Sequence, residues 1–348
     1  MRMGIGDITP TNAKIMGAHP AHARGRSPSQ WRIIMLFHAT VNQLAFLFLL
    51  IAIGYLLVKL KRIPDNAEMV LSRLENDLFL PALVLGTFAT HFTTERLADA
   101  GALLLGSLML EVIVILVAWV CVKRCAPDPY TRNIYLYGLC FSNFGFMGNA
   151  IVSALFPDIF MEYMIFTLVL WIFIYVWGVP TLLMGDGLAR QSLGTKLRNL
   201  LNPMFICMVA GMAIGLSGLS MPSFVNSLVT QAGNCMSPVA MLLTGMTIAK
   251  IDIRAVLKTK SIYMITALRL LVFPLAFLGA GLLLRGRLSE TFVICAVCSL
   301  SMPLGLNTIV IPSALGKDTT VASGMALLSH ALSCVSIPLV FLALEHMR

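Results

Sequence analysis

Apolar residues in this chain run in long, nearly continuous stretches. They neither alternate with period two nor stripe one face of short helices. Ten such stretches can be read, at residues 39–58, 76–92, 101–122, 134–156, 163–184, 201–219, 231–250, 261–284, 290–312 and 320–343. A helix needs about 20 mostly apolar residues to cross ~30 Å of hydrocarbon, and these stretches have that length. Strands of a membrane barrel would be ~10 residues of alternating character, a pattern the chain lacks. The pattern predicts an all-α membrane protein of ten transmembrane helices.

Composition agrees. Of 348 residues, 58% are hydrophobic and 12% charged, against ~45–50% and ~25% in soluble domains. The net charge of +9 suggests nucleic acid until its placement is examined. Lys59, Lys61, Arg62 and Arg73 are followed on the same side by Lys123, Arg124 and Arg132, then Arg190, Lys196 and Arg198. Lys250, Arg254, Lys258, Lys260 and Lys317 complete that side, while the opposite loops carry only Arg96, Arg285 and Arg287. Such alternation is the positive-inside pattern. It excludes a nucleic-acid partner and names membrane lipid instead, in the inner (cytoplasmic) membrane. With ten spans both termini face outward. The polar, basic residues 1–34 (Arg2, Lys14, Arg24, Arg26, Arg32) do not suit an outward tail and lack a signal peptide's apolar stretch. They are expected to be a disordered extension, with Met35 the true start.

The chain repeats itself. At an offset of 158 residues Ile63-Pro64 falls on Met221-Pro222, Asn76 on Asn234 and Pro180 on Pro338. Pro81 and Gly86 land one residue from Pro238 and Gly245. At an offset of 160, Asn143-Phe144-Gly145-Phe146 falls on Pro303-Leu304-Gly305-Leu306, and Ala154-Leu155 on Ala314-Leu315. The halves are 35–184 and 201–348, joined by a cytoplasmic connection at 185–200. Each holds five spans, an odd number, so the second is inserted upside down. Inverted repeats recur in secondary transporters.

The fourth and ninth stretches carry helix-breaking residues at their centres: Ser142-Asn143-Phe144-Gly145-Phe146-Met147-Gly148-Asn149 and Ser301-Met302-Pro303-Leu304-Gly305-Leu306-Asn307-Thr308. Proline removes an amide donor and glycine permits unusual backbone angles. Unpaired backbone at membrane depth is tolerated only inside protein or along a wet cavity. Matching breaks in the two halves point to a transporter's binding site. Half-helix N-termini carry partial positive charge, which suits an anion. Asn143, Gly145, Gly148, Asn149, Pro303, Gly305 and Asn307 are therefore the candidate substrate-binding residues. A lone asparagine here would be read as an interhelical hydrogen bonder; the symmetric pair of motifs favours a site.

These motifs carry a resemblance. Leu80-Pro81-Ala82-Leu83, Asn143 through Gly148 with Ala154-Leu155-Phe156, Ser237-Pro238 with Leu243-Thr244-Gly245, Pro274, Met302-Pro303 with Asn307, and Pro338-Leu339 resemble the auxin efflux carrier family, bacterial type, across roughly residues 36–343. The resemblance implies a five-plus-five inverted fold similar to sodium/bile-acid symporters and sodium/proton antiporters, with broken helices four and nine crossing. It implies a scaffold of helices one, two, six and seven and a moving transport domain of helices three to five and eight to ten. The cargo it implies is a small organic anion: malonate, malate or an auxin-like carboxylate. Ser142 departs from the proline that plant carriers place before the helix-four asparagine, and the long plant cytoplasmic loop is missing. Sodium or proton coupling, and a channel, remain alternatives.

Ionisable residues inside the membrane are functional candidates by default. Glu111 and Arg269 stand 158 residues apart, as symmetry mates. They either pair to hold the halves together, or Arg269 binds a carboxylate while Glu111 cycles a proton. His330 either titrates or packs. Glu75 and Asp77, flanking the start of helix two, complement a helix N-terminus. Gly211 and Gly215 form a GxxxG suited to close packing, within the chain or across a homodimer of scaffold helices. The eight cysteines lie in or beside apolar stretches and read as inert. Cys295 and Cys298 lack a second ligand pair, so no metal or cofactor is expected. Gly316-Lys317-Asp318-Thr319 lacks a phosphate loop's first glycine, position 311 being Ile. No GxSxG, HExxH or paired-carboxylate motif suggests an enzyme.

Overall fold

A computed structural model describes residues 28–184 apart from 124 and 127, then 203–250 and 258–347. Residues 1–27 and the connection at 185–200 lie outside the described residues. Helices account for the regular structure, and among the described residues the sole β feature is an isolated bridge between Ser142 and Leu304. Helix occupies each of the apolar stretches, and five helices are long and apolar enough to cross a membrane: Ala100–Val122, Pro157–Leu183, Ser223–Lys250, Lys260–Leu283 and Thr320–Met347. The protein is an all-helical, multi-pass membrane protein.

In chain order the helices are α1 Pro28–Lys59, α2 Ala67–Leu74, α3 Leu80–His91, α4 Thr94–Val122, α5 Pro129–Cys140, α6 Asn149–Leu155, α7 Phe160–Phe173, α8 Pro203–Ser217, α9 Ser223–Lys250, α10 Lys260–Ala267, α11 Phe273–Leu283, α12 Glu290–Ser301, α13 Asn307–Ala314 and α14 Thr320–Met347. Helix α1 begins at Pro28, so its first turns overlap the segment expected to precede the membrane domain. Proline is preorganised for a first helical turn.

Prolines also explain the wide turns. A proline cannot donate to the carbonyl four residues back, and its ring crowds it. The chain responds with π-turns at Glu75–Phe79 before Pro81, at Leu268–Val272 before Pro274, and at Ile174–Leu183 around Pro180. The first of these continues directly from α2. The helix that carries the second apolar stretch therefore begins at Ala67, ahead of residue 76, and Arg73 sits on helix rather than in a loop. The hydropathy pattern misses these turns because Glu68, Ser72 and Glu75 turn inward and are buried. Glu75 consequently does not complement a helix start. It is 0% exposed within the span, with both carboxyl oxygens lacking a partner among the described residues.

Helix α4 shows how the lipid face is drawn. Ser107, Glu111, Val114, Ala118 and Val122 form a buried stripe at three- and four-residue spacing, while Leu105, Met109, Ile113, Leu116 and Val120 are exposed. Helical periodicity places i, i+3 and i+4 on one face, so Glu111 points into protein and the leucines into lipid.

Glycines bring α1, α3, α8 and α9 together. A Cβ on Gly54 would collide with the Leu242 carbonyl, and one on Gly245 with the Ile51 carbonyl. A Cβ on Gly233 would lie 2.9 Å from the Leu83 Cα, one on Gly211 2.9 Å from the Leu85 carbonyl, and one on Gly215 2.5 Å from the Phe92 carbonyl. Lipid offers no hydrophobic drive between helices, so small residues that let backbones touch do the work. The GxxxG of α8 is thus covered by α3 of the same chain and is no exposed dimer seam. Gly245→Val is expected to lower the midpoint of thermal unfolding in detergent, consistent with overpacking at about 1–3 kcal/mol. Gly279→Ala, whose Cβ would meet nothing within 4 Å, should leave it unchanged or raised.

Candidate functional site

The fourth apolar stretch is interrupted after α5 and the ninth after α12. Phe141 (φ −113°, ψ 108°) and Met302 (φ −70°, ψ 149°) are extended. The two short extended pieces run antiparallel: Asn143 N donates to the Pro303 carbonyl at 2.7 Å and Gly305 N to the Phe141 carbonyl at 3.1 Å. Beyond the crossing the chain re-enters helix, through the π-turn Phe144–Gly148 into α6 on one side and into α13 on the other.

A break leaves carbonyls without partners on its N-terminal side. Arg269 collects them. Its Nη1 donates to the Leu139 carbonyl (2.8 Å), Nη2 to Ser299 (3.0 Å) and Nε to Met302 (3.3 Å). One guanidinium thus ties the C-terminal ends of α5 and α12 together, where the helix dipoles are negative. Ser142, where plant carriers have proline, donates its Oγ to the same Ser299 carbonyl at 2.8 Å. Arg269 is 1% exposed. It forms no ion pair with Glu111, although both line one cavity of about 10 Å³ with Ser107, Cys140 and Ser299. The pairing expected between the symmetry mates is not made, because the carbonyls of the break already engage the fork. For the same reason its donors do not face an open substrate site.

On the other side of the break the first amides of a helix lack partners. Those of Phe144 and Gly145, and of Leu306 and Asn307, donate to no protein group among the described residues. All four residues line a single cavity of about 10 Å³, with Tyr137, Ser142, Trp171 and Gly305. That is room for about one water. Two positive half-helix ends therefore converge on one small polar space in the protein interior.

The candidate residues fall into three groups. Asn307, Gly145 and Gly305 line this cavity. Asn307 donates Nδ2 to the Tyr137 hydroxyl at 3.0 Å, leaving its buried Oδ1 without a partner. Asn143 and Pro303 form the crossing itself. The Asn143 side chain accepts from Met147 N at 3.3 Å, and its Nδ2 lies 2.9 Å from His330 Nε2. Gly148 and Asn149 sit further along and do not line the cavity. The glycines also have packing reasons: a Cβ on Gly145 would lie 2.7 Å from the Trp171 ring, one on Gly305 2.7 Å from the Phe141 carbonyl, and one on Gly148 would strike the Tyr163 hydroxyl. Asn149 Oδ1 is buried without a partner.

Tyr137 and Trp171 escaped the sequence reading. Their signal was slight, a polar-tipped aromatic in each of two apolar stretches. Glu68 escaped it too. Its Oε1 accepts from Thr247 (2.8 Å) and Ser313 (3.4 Å), and its Oε2 pairs with Lys250 (2.8 Å). Nearby, Ser72 Oγ donates to the Val310 carbonyl at 3.1 Å. These bonds tie α2 and α9 to α13.

Arg269→Met, and equally Arg269→Lys, is expected to abolish monodisperse protein on fluorescence size-exclusion chromatography. Each buried carbonyl left alone costs about 1–3 kcal/mol. A well-folded variant that had lost only transport would instead make Arg269 a substrate ligand.

A search of the curated proteins finds no match. The family model described as membrane transport protein matches twice, over residues 39–192 and 188–341. With most of its length matched, the chain belongs to this transporter family, that of the auxin efflux carriers.

Proposed function

We propose that the protein is a secondary transporter of small organic anions, with carboxylates such as malonate or malate as cargo, and that the crossing is its substrate site. One observation carries this reading: the free first amides of two half-helices, with the amide side chain of Asn307, meet at one cavity in the protein interior. Backbone N–H groups at helix N-termini are an anion site in themselves. No carboxylate competes there among the residues lining the cavity.

In this reading ten spans form two inverted five-helix repeats in the inner membrane, with both termini outward. The two family matches divide near residue 190, in the connection between the halves. The glycine-packed group α1, α3, α8 and α9 serves as scaffold. The spans carrying α4–α7 and α10–α14 move against it as an elevator. Glu68 and Ser72 bridge these two groups at the end of the molecule where the basic loop 59–66 lies, which suits a latch holding one end state. The cavity is too small for a carboxylate, so the two breaks must part to admit one.

Asn143→Ala and Asn307→Ala are each expected to cut malonate flux into proteoliposomes by about 10- to 100-fold, as loss of a hydrogen bond to a charged group of about 1.5–3 kcal/mol predicts. Elution should remain that of the parent protein, with thermal unfolding lowered only modestly, since each variant leaves one buried partner, His330 or Tyr137, without its bond. Full transport by the double variant would remove the crossing as the site. A channel would instead pass currents in a planar bilayer far above carrier turnover.

A further inference from the structure

His330 is 1% exposed on α14, and its bonding assigns its tautomer. Nδ1 lies 2.8 Å from the Ala326 carbonyl, which can only accept, so Nδ1 carries hydrogen. Nε2 faces Asn143 Nδ2 at 2.9 Å. Asn143 Oδ1 is turned the other way, accepting from Met147 N, so Nδ2 must donate and Nε2 accept. The chain of bonds has one direction: Met147 N–H to Asn143, Asn143 to His330, His330 to Ala326. It holds only for a neutral imidazole. In it Asn143 Oδ1 is held against the π-turn Phe144–Gly148, whose Phe144 and Gly145 line the neighbouring cavity.

We propose that His330 is the proton-coupling residue of this carrier, and that it acts by turning over the Asn143 amide. The inference rests on the crossing being the anion site. A proton on Nε2 makes both ring nitrogens donors, and Nε2–H then faces the Nδ2 hydrogens. Rotation of the amide relieves the clash. Oδ1 now accepts from His330, and Nδ2 joins the amides of Met147, Phe144 and Gly145 as a donor at the π-turn mouth. Met147 N keeps its main-chain bond to the Asn143 carbonyl (3.1 Å). The built-in acceptor is withdrawn and an external carboxylate takes its place.

The surroundings link proton and anion. Among the elements packed against α14, the charged groups Lys59, Arg132, Lys250, Lys260 and Glu290 lie at or near helix ends, as do Glu345 and His346 of α14 itself. The buried titratable groups on those elements are Arg269, held by three carbonyls, Tyr135, bonded to Ser261, Tyr137, bonded to Asn307, and Cys140, Cys295 and Cys298. Among the described residues no carboxylate is one of them. A buried imidazolium therefore lacks a counter-charge until the anion arrives, and a buried unpaired charge is costly. Each ligand raises the affinity for the other, by the same factor in both directions. The proton enters with the carboxylate on one side and leaves with it on the other.

The test uses purified full-length protein in weakly buffered detergent with a pH-indicating dye and malonate, malate and indole-3-acetate as probes. Wild type is expected to take up about one proton per anion bound, with affinity falling about tenfold per pH unit above the imidazole's titration. His330→Gln, whose amide oxygen can accept from Asn143 but cannot take a proton, should bind with no proton uptake and a flat pH profile. Nitrogen-15 spectra of the wild-type imidazole provide a check that needs no variant: Nδ1-protonated when empty, doubly protonated with anion bound. Binding without proton uptake, or with the ring still neutral, overturns the coupling and leaves the site standing. Failure of all three anions to bind between about pH 5 and 8 overturns both.

Discussion

Inside lipid every main-chain N–H and C=O must find its partner within the protein, and two interrupted helices in one chain violate that demand twice. The structure meets it by crossing the interruptions. Each extended piece supplies partners to the other, and the Arg269 guanidinium gathers carbonyls from both. A neutral donor could not do this with three bonds in one plane; the fork of arginine can. Its charge is offset where the negative ends of α5 and α12 meet. The break is tolerable because the carbonyls of Leu139, Phe141, Ser299, Met302 and Pro303 all find donors within the protein.

That asymmetry is the origin of the site. Carbonyl ends face a fixed cation, amide ends face a nearly empty cavity. Any ligand there must bring acceptors to the second set of groups, as Arg269 brings donors to the first. Around this arrangement the packing is tight. Trp171, Tyr163 and Phe141 fill the space over Gly145, Gly148 and Gly305, so these glycines admit aromatic side chains and backbone rather than substrate. Any larger side chain there would push the two breaks apart before it touched a ligand.

The rest of the molecule is held together in two ways. Where glycine lets main chain touch main chain, as at Gly54, Gly215 and Gly245, sliding is blocked by interlocked backbone. Between α2 and α13 the contact is made instead by a few polar bonds from Glu68 and Ser72. Hydrogen bonds can be exchanged for others at small net cost, while interpenetrating backbones cannot.

Membrane residence, the positions of the apolar helices and the two breaks were legible in the sequence, because each depends on local chemistry: apolar length, Gly and Pro, and basic loops. That the helix of the second stretch reaches back to Ala67 was not legible, because Glu68, Ser72 and Glu75 are polar yet buried, a matter of which face meets α9 and α13. Pairing of Glu111 with Arg269 was one of two readings open for these symmetry mates and no ion pair is formed, since no local rule says that carbonyls 30 and 130 residues away will reach Arg269 first. The Asn143–His330 bond spans 187 residues, and Tyr137 reaches Asn307 across 170. By itself the sequence determined where helices must break. Only the tertiary structure decided which groups answer the broken bonds, because those partners come from helices distant in the chain that only packing brings within hydrogen-bond reach.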